Sequence, residues 1–331
     1  MNSYQFALID KQHAYLGIGL QRIVRSWPAL RRVPNYAIGT ISYDQQLYFG
    51  VFKQLKRIPL TKLTDSTPFS LRLKGQSLQT YQKNFQRIQR HLQLGDLYQA
   101  NYCYPFTAHT TVTPAQLLYR FTQQQPTSHG VYINTPELKL VSNSPELGVA
   151  IDGNTVICQP MKGTLQKAKA KSQLINSRKD QAELDMITDV VRNDLAQFAV
   201  PGSVRVVRRR QVVGLNTVWQ AYSTITAQRN RKTTITDLLQ ALLPYASVTG
   251  APKQRAVEIL QQLETNNRGI YCGAIGYLQG NRRAEFNVAI RTAVLRNQQL
   301  TYWVGSGITL DSDAKAEYAE TLAKAAILLQ P

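Results

Sequence analysis

The 331-residue sequence contains few cysteines, few acidic residues and no long apolar run. The cysteines, Cys103, Cys158 and Cys272, are widely separated and form no CxxC pair, which argues against a zinc site and against a disulfide framework. A membrane-spanning helix would need a run of about 18 apolar residues, and the first residues lack a basic stretch followed by an apolar one. We therefore expect a cytoplasmic protein with reduced thiols that neither spans a membrane nor is secreted.

The shortage of acidic residues leaves a strongly basic chain. Lys and Arg number 39 and Asp and Glu number 20, so the formal net charge is +19. This charge suits nucleic acid, an anionic metabolite or an acidic protein surface, and solubility alone explains it equally well. The basic residues are dispersed apart from clusters at 208–210 and 229–232, neither of which is interleaved with aromatic residues. We expect both clusters to be solvated strand ends or turns and predict no nucleic-acid partner; a non-catalytic nucleic-acid-binding protein is the remote alternative.

Apolar residues make up 43 % of the chain, which is enough for a packed core. Apolar spacing predicts helices at 80–94, 176–197, 235–243, 252–264 and 314–329, and strands at 130–134, 138–142, 147–158, 204–213, 271–278, 285–294 and 299–304. These elements do not alternate as a parallel doubly wound sheet requires, and no Pro-, Gly- or Ser-rich linker divides the chain. The pattern predicts one large α+β domain.

Two predicted helices each carry a pair of acidic residues on one face. Glu317 and Glu320 are three positions apart in the last helix, with Lys324 one turn further on, and Asp180 and Glu183 repeat the spacing earlier in the chain. The opposite face of the last helix is apolar and carries Ala316, Leu322, Ala325 and Leu328. Two such helices could supply oxygen ligands to Mg²⁺, although acidic pairs are more often exposed surface residues.

Three glycine-containing segments have no match to a P-loop or a dinucleotide-binding fingerprint. They are CQPMKGT (158–164), SVTGAPK (247–253) and WVGSGIT (303–309). In the first, Lys162 precedes a Gly-Thr turn, and in the second, Pro252 begins a helix whose N–H groups could face an anion. In the third, Gly305 and Gly307 allow close approach of a carboxylate to the backbone.

These segments belong to a longer set of motifs in a fixed order. The set is GDLYQANYC (95–103), SNSPEL (142–147), QPMKGT (159–164), AELDMITDVVRNDL (182–195), SVTGAPK (247–253), YCGAIGYL (271–278), AIRT (289–292) and GSGITLDSDAKAEYAETLAK (305–324). It resembles the chorismate-utilising enzymes, which include anthranilate, aminodeoxychorismate, isochorismate and salicylate synthases. The resemblance covers about residues 80–329. It implies layered antiparallel sheets flanked by helices, with residues 1–75 as a short strand-rich segment packed on a catalytic domain at 76–331.

Two residues separate the subgroups of this family. Lys162 matches the lysine that members making 4-amino-4-deoxychorismate carry where anthranilate synthases have Ala. Gln99 matches the glutamine of ammonia-using members, whereas water-using members have Lys there. The resemblance therefore implies an aminodeoxychorismate synthase large subunit that acts on chorismate and ammonia in para-aminobenzoate and folate synthesis, with anthranilate synthase component I as the alternative.

The resemblance also implies roles for individual residues. Glu146 matches the general acid, and Lys162 would form a covalent adduct with the ring. Mg²⁺ would be held by Glu183 and Glu320, with Asp180 and Glu317 acting directly or through water. Substrate contacts are implied for Gln99, Thr249, Gly250, Tyr271, Arg291, Gly305, Ser306, Gly307 and Lys324. The chain has four histidines and no Gly-flanked cysteine elbow, so we expect a separate glutamine amidotransferase subunit to supply ammonia.

One position departs from the common family pattern. Many members have a histidine in the segment that reads VWQAYSTI (218–225) in this chain, where Gln220 takes its place. A glutamine can donate and accept hydrogen bonds but cannot transfer a proton near neutral pH, so an acid–base role is not expected at this position.

Overall fold

The structure is a computed structural model that describes residues 4–215 and 218–329. The strands are β1 (Gln5–Asp10), β2 (His13–Val24), β3 (Tyr36–Ile41), β4 (Leu47–Pro59), β5 (Gln99–His109), β6 (Gly130–Asn134), β7 (Lys139–Ser142), β8 (Leu147–Asp152), β9 (Thr155–Cys158), β10 (Met161–Gln166), β11 (Arg205–Gly214), β12 (Val218–Gln228), β13 (Gly250–Ala251), β14 (Ala274–Gln279), β15 (Arg283–Val288), β16 (Thr292–Arg296) and β17 (Gln299–Ile308). The α-helices are α1 (Trp27–Arg31), α2 (Leu78–Gln93), α3 (Pro114–Gln124), α4 (Lys171–Asn176), α5 (Arg178–Ala196), α6 (Ile235–Leu242), α7 (Lys253–Leu263) and α8 (Ala314–Ala325). None of these helices is long and apolar enough to cross a membrane.

The strands form one continuous antiparallel ladder. Starting from β12, which pairs with both β10 and β11, the order of neighbours is β9, β8, β15, β14, β3, β4, β2, β1, β6, β7, β16, β17, β5 and β13. Side chains from distant parts of this ladder share one core, in which Ile38 and Ile275 meet Val131 and Leu140. The ladder therefore folds back on itself into layers, and the predicted α+β fold of layered antiparallel sheets with flanking helices is confirmed. The boundary at residue 75 stays a prediction.

The helix at residues 80–94 illustrates how local sequence fixes an element. Its apolar residues Tyr81, Phe85, Ile88 and Leu92 are buried on one face of α2, as their spacing predicts. Ser77 caps the helix, because its side chain accepts a hydrogen bond from the Thr80 N–H. Burying side chains of this kind stabilises the fold by about 1.5–3 kcal/mol each.

Two of the predicted strands are wrong as single elements. The run at 147–158 is two strands, β8 and β9, because Gly153 turns the chain with a φ of +58°. The run at 285–294 is also two strands, β15 and β16, and the break contains Arg291 with a φ of +51°.

The sequence pattern did not predict β5, which contains Pro105, a residue that normally argues against a strand in mid-sheet.

The two basic clusters are not equivalent. Arg209 and Arg210 are exposed and both donate hydrogen bonds to the Asp185 carboxylate on α5. Arg229 is only 7 % exposed and donates to the backbone oxygens of Gly153 and Asn281. The expectation of a solvated cluster is therefore wrong for Arg229. Because a buried guanidinium must have its donors satisfied, Arg229 links the turn at Gly153 to the turn at Asn281.

Candidate active site

A cavity of about 180 Å³ lies where β10 and β17 meet the N-terminal half of α5 and one face of α8. Most of the predicted site residues converge on it. Those that line it are Glu146, Lys162, Asp180, Glu183, Tyr271, Arg291, Gly305, Gly307, Glu317, Glu320 and Lys324. The cavity therefore gathers two acidic helix faces and several basic side chains into one pocket.

Lys162 enters this pocket from a β-bulge and not from the turn that the sequence suggested. In the pairing of β10 with β12, Met161 lies opposite Tyr222 and Thr164 lies opposite Gln220. The chain therefore advances three residues on β10, from Met161 to Thr164, while it advances only two on β12, from Tyr222 to Gln220. The extra residue on β10 forms a bulge at Lys162 and Gly163. The bulge redirects the lysine side chain out of the sheet pattern and into the pocket.

The environment of Lys162 favours the neutral amine. Burial lowers the pKa of its ammonium below the usual lysine range, and the positive charge of Lys324 acts in the same direction. The nearby carboxylates, Glu183 foremost, oppose this effect. Among the residues that the structure describes, Lys162 Nζ is not held by a hydrogen bond or an ion pair. The amine is therefore available to a molecule in the pocket.

Glu146 lies beside Lys162 at the end of the SNSPEL segment. It is 4 % exposed, and its Oε1 accepts a hydrogen bond from the Met161 N–H at 3.3 Å. Burial raises the pKa of its carboxyl from 4.5 to about 7, although the Ser247 hydroxyl, the Met161 N–H and Lys162 all favour the charged form. Near neutral pH a large share of Glu146 is therefore protonated and able to donate a proton.

This raised pKa predicts that Glu146→Gln stabilises the protein at alkaline pH. Between pH 4.5 and about 7 the folded state keeps a proton that the unfolded chain has released, so the wild type loses stability as the pH rises through this window. A neutral glutamine has no such loss. We expect the variant to gain at most about 3 kcal/mol over the wild type above pH 7, measured as the difference in thermal unfolding midpoint from pH 5 to pH 8. A difference that does not change with pH would contradict the buried, protonated carboxyl.

The acidic face of α8 points inward, towards the pocket. Glu317 is 7 % exposed, whereas Leu322 on the predicted apolar face is 43 % exposed. Lys179 lies between the two acidic helices, with Nζ at 3.9 Å from Glu183 Oε1 and 3.8 Å from Glu317 Oε1. Lys324 Nζ lies 2.6 Å from Glu320 Oε1. Two lysines therefore occupy positions where a metal cation would balance the carboxylates.

The carboxylates differ in how well they are neutralised. Burial raises the pKa values of Glu183 and Glu317, and repulsion from neighbouring acids adds to both shifts. Lys324 lowers the pKa of Glu320. Within residues 4–215 and 218–329, no three acidic, histidine or cysteine side chains are grouped closely enough to hold a metal ion alone. The hard oxygen donors still fit a cation such as Mg²⁺, which normally retains water and uses few protein carboxylates.

Basic and aromatic side chains line the pocket together with the acidic ones, and one of the basic residues, Lys324, lies on α8 itself. Arg291 lies against the Tyr302 phenol and has no acidic partner among the ion pairs of the described residues. Lys324 is oriented by a hydrogen bond that its Nζ donates to the Gly305 oxygen at 2.7 Å. Tyr271 stacks on Trp303 with ring centroids 5.9 Å apart. This wall combines a guanidinium with flat aromatic rings, which suits a small anionic ring compound.

Gln99 lies behind the pocket wall next to Lys162. It is 1 % exposed, and neither its Oε1 nor its Nε2 has a hydrogen-bond partner among the described residues. A Cβ at Gly307 would lie 2.4 Å from Gln99 Nε2 and 3.0 Å from Lys162 Nζ, so a larger residue there would displace the ends of both side chains. The Gln99 amide and the Lys162 amine therefore both lie close to Gly307.

Besides Gln99, three predicted substrate contacts do not line the cavity. The Thr249 hydroxyl donates to the backbone oxygens of its own turn, at Tyr245 and Ala246. Gly250 packs against β5, since a Cβ there would lie 2.3 Å from the Gln99 oxygen. Ser306 alternates with the two pocket glycines and is hydrogen-bonded to the Tyr81 hydroxyl at 2.7 Å, on the other face of β17.

Sequence reasoning did not single out several residues of the pocket wall. These are Asn101, Lys179, Ser247, Tyr302 and Trp303. Asn101 and Ser247 lie inside the motifs GDLYQANYC and SVTGAPK, so the sequence does carry a signal for them. Lys179 carries no sequence signal, because its role depends on two helices that meet only in the folded chain.

Known proteins resemble this chain over most of its length. The family profile described as chorismate binding enzyme matches residues 45–330. The chain belongs to the chorismate binding enzymes. Aminodeoxychorismate synthase component 1 of Salmonella typhimurium is 36 % identical over 275 residues, which cover 80 % of this chain and 61 % of that protein. Anthranilate synthase component 1 of Haloarcula marismortui is 34 % identical over 250 residues, covering 73 % and 50 %. The chain thus spans little more than half the length of these curated relatives.

Solved structures of chorismate binding enzymes share the fold. Anthranilate synthase component I from Streptococcus pneumoniae superposes with a TM-score of 0.82 at 24 % identity and covers 100 % of this chain and 91 % of that one. The menaquinone-specific isochorismate synthase from Escherichia coli gives 0.85 at 19 % identity, covering 99 % and 89 %. At these identities the likeness establishes the architecture alone.

Proposed function

We propose that this chain converts chorismate and ammonia into 4-amino-4-deoxychorismate, the step that commits chorismate to para-aminobenzoate and folate. The observation that carries the proposal is the Lys162 amine, which enters the pocket beside the Glu146 carboxyl and has no hydrogen-bond or ion-pair partner among the described residues. Aminodeoxychorismate synthase component 1 is the name of the relatives from three enteric bacteria, each 36 % identical to this chain.

The two groups complement each other chemically. In the first displacement the neutral Lys162 amine bonds to C2 of the ring, the ring double bonds shift, and the C4–O bond breaks. Glu146 gives its proton to the departing hydroxyl, which leaves as water. In the second displacement ammonia bonds to C4, the double bonds shift back, and the amine of Lys162 leaves C2. The Glu146 carboxylate then recovers a proton from the new C4 ammonium, so the net change is chorismate plus ammonia to product plus water.

The remaining pocket residues would bind the substrate dianion. Arg291 offers a planar guanidinium to a carboxylate, and the Tyr271 and Trp303 rings limit the space beside it. Glu183 and Glu320, with Asp180 and Glu317, would hold Mg²⁺ between the acidic helices and a substrate carboxylate. Bound there, the metal would supply charge neutralisation and orientation of the ring.

If Mg²⁺ binds between the acidic residues of α5 and α8, substitution of Lys179 should change its affinity. Because its ammonium lies between Glu183 and Glu317, Lys179→Met should tighten Mg²⁺ binding by about threefold to tenfold. Glu183→Gln should weaken it by at least about tenfold. Mg²⁺ titration calorimetry, with Mn²⁺ electron paramagnetic resonance as a second readout, measures both. Asp189→Asn is the matched control, since Asp189 lies on α5 outside the pocket and pairs with Arg192. Equal affinity in all four proteins would refute the site.

Ammonia would come from a separate glutamine amidotransferase subunit. The relatives' name, component 1, implies a second component. The chain alone should therefore use ammonium salts and not glutamine, and it should gain glutamine-dependent activity when the partner is added.

Product identification by mass spectrometry tests the proposal. The protein is incubated with chorismate, ammonium and Mg²⁺, and 4-amino-4-deoxychorismate is the expected product. Anthranilate and pyruvate, formed without an added lyase, would establish the anthranilate synthase alternative, which relatives such as that of Haloarcula marismortui favour. A non-catalytic nucleic-acid-binding protein would instead show no turnover and would bind duplex DNA with an affinity that falls steeply with salt.

A further inference from the structure

A side chain on the neighbouring strand, that of Gln220, is hydrogen-bonded to the bulge that carries Lys162. Gln220 on β12 donates a hydrogen bond from Nε2 to the Gly163 oxygen at 3.0 Å. Its Oε1 accepts a hydrogen bond from the Thr164 hydroxyl at 3.1 Å. Both ends of the amide are therefore engaged with the two residues that follow Lys162.

The bulge needs such a restraint. A bulge interrupts the regular ladder and leaves backbone groups without their usual partners. Gly163 has a φ of +83°, and a Cβ there would lie 2.9 Å from Asp180 Cβ, so the position requires glycine, the most flexible residue. Without a side chain to fix the Gly163 carbonyl, the peptide next to Lys162 could rotate and take the lysine side chain with it.

An amide is well suited to this position. It presents a donor and an acceptor side by side at the end of a flexible stem, which matches a carbonyl and a hydroxyl on consecutive residues. A carboxylate would place an oxygen against the Gly163 carbonyl, and an apolar side chain would leave that carbonyl unpaired. Gln220 also lines the pocket, but its hydrogen bonds within the described part of the chain go to the bulge.

We infer that Gln220 is a positioning residue that fixes the bulge and so directs the Lys162 amine at the substrate ring. The inference rests on the proposed function, because it assumes that Lys162 is the nucleophile. It gives the glutamine at this position a role that requires no proton transfer.

The experiment compares Gln220→Leu and Gln220→Glu with the wild type. Three quantities are measured: the single-turnover rate of adduct formation on Lys162 by mass spectrometry, kcat and KM with ammonium, and the labelling rate of Lys162 by an amine-directed reagent without substrate. Gln228→Leu is the matched control, because Gln228 lies on the same strand and donates to Thr155, away from the bulge. Thermal unfolding midpoints establish that each variant folds.

Both Gln220 variants should lower kcat and the adduct rate by about 10- to 100-fold, the cost of a displacement of about 1 Å. KM should change by less than about threefold, because substrate binding is not removed. The labelling rate of Lys162 should change in both variants and stay unchanged in Gln228→Leu. Thr164→Val should show a smaller loss, since Gln220 keeps its bond to Gly163.

Other outcomes overturn the inference. Adduct rates equal to the wild type would show that the bulge holds its shape without Gln220. A rise in KM with unchanged kcat would show that Gln220 binds the substrate directly. If the wild type itself forms no adduct, the proposed function is wrong, and the inference about Gln220 is wrong as well. Adduct formation by the wild type therefore separates a failure of the proposed function from a failure of the inference alone.

Discussion

Lys162→Ala is expected to lower the rate of 4-amino-4-deoxychorismate formation by at least about 10³-fold, because the substitution removes the nucleophile itself. When ammonia is withheld, the wild type should accumulate a covalent product whose mass equals protein plus chorismate less one water. The alanine variant should form none. Liquid chromatography of the products and intact-protein mass spectrometry provide the two measurements.

The control for this prediction is another lysine from the same part of the chain. Lys169 is exposed and lies outside the pocket, so Lys169→Ala should leave both product formation and adduct formation unchanged. Loss of Lys162 should leave the pocket open and its acidic helices in place, so chorismate should still bind. Retention of the full rate by Lys162→Ala would remove this residue from the mechanism, whereas a switch to anthranilate would show that the pocket supports direct amination without it.

The sequence predicted the members of the site better than their arrangement. Ordered motifs predicted Lys162, Glu146 and the acidic helices, and these residues do line one cavity. From the sequence alone, Lys162 was expected just before a Gly-Thr turn. The structure places it in a bulge, because a bulge is defined by the partner strand and β12 lies more than fifty residues further along the chain. No local pattern could contain that information.

The last helix shows a second limit of sequence patterns. Of its predicted apolar face, Ala325 and Leu328 are buried but Leu322 is exposed, and the acidic Glu317 is buried as well. Hydrophobic patterning predicts which face packs only where the core is apolar. A helix that borders an active site turns functional polar groups inward, and its neighbours supply the compensating charges, as Lys179 does for Glu317. A buried glutamate on this helix is therefore itself a mark of the site.

Glu146→Gln is expected to lower kcat by about 10²- to 10⁴-fold with little change in KM, because the glutamine amide cannot give a proton to the departing hydroxyl. Turnover by the wild type should fall as the pH rises above about 7, where the Glu146 carboxyl loses its proton. The variant should lose this alkaline fall.

The same variant should also shift the pKa of Lys162 in a defined direction. Because the charge of Glu146 raises the pKa of Lys162, a neutral residue at this position lets the lysine lose its proton at a lower pH. The variant should be more stable than the wild type above about pH 7 and far slower below it, since the buried carboxyl that costs stability is the one that donates the proton. Equal losses in kcat and in chorismate binding, or an alkaline fall that survives the substitution, would assign the proton transfer to another group.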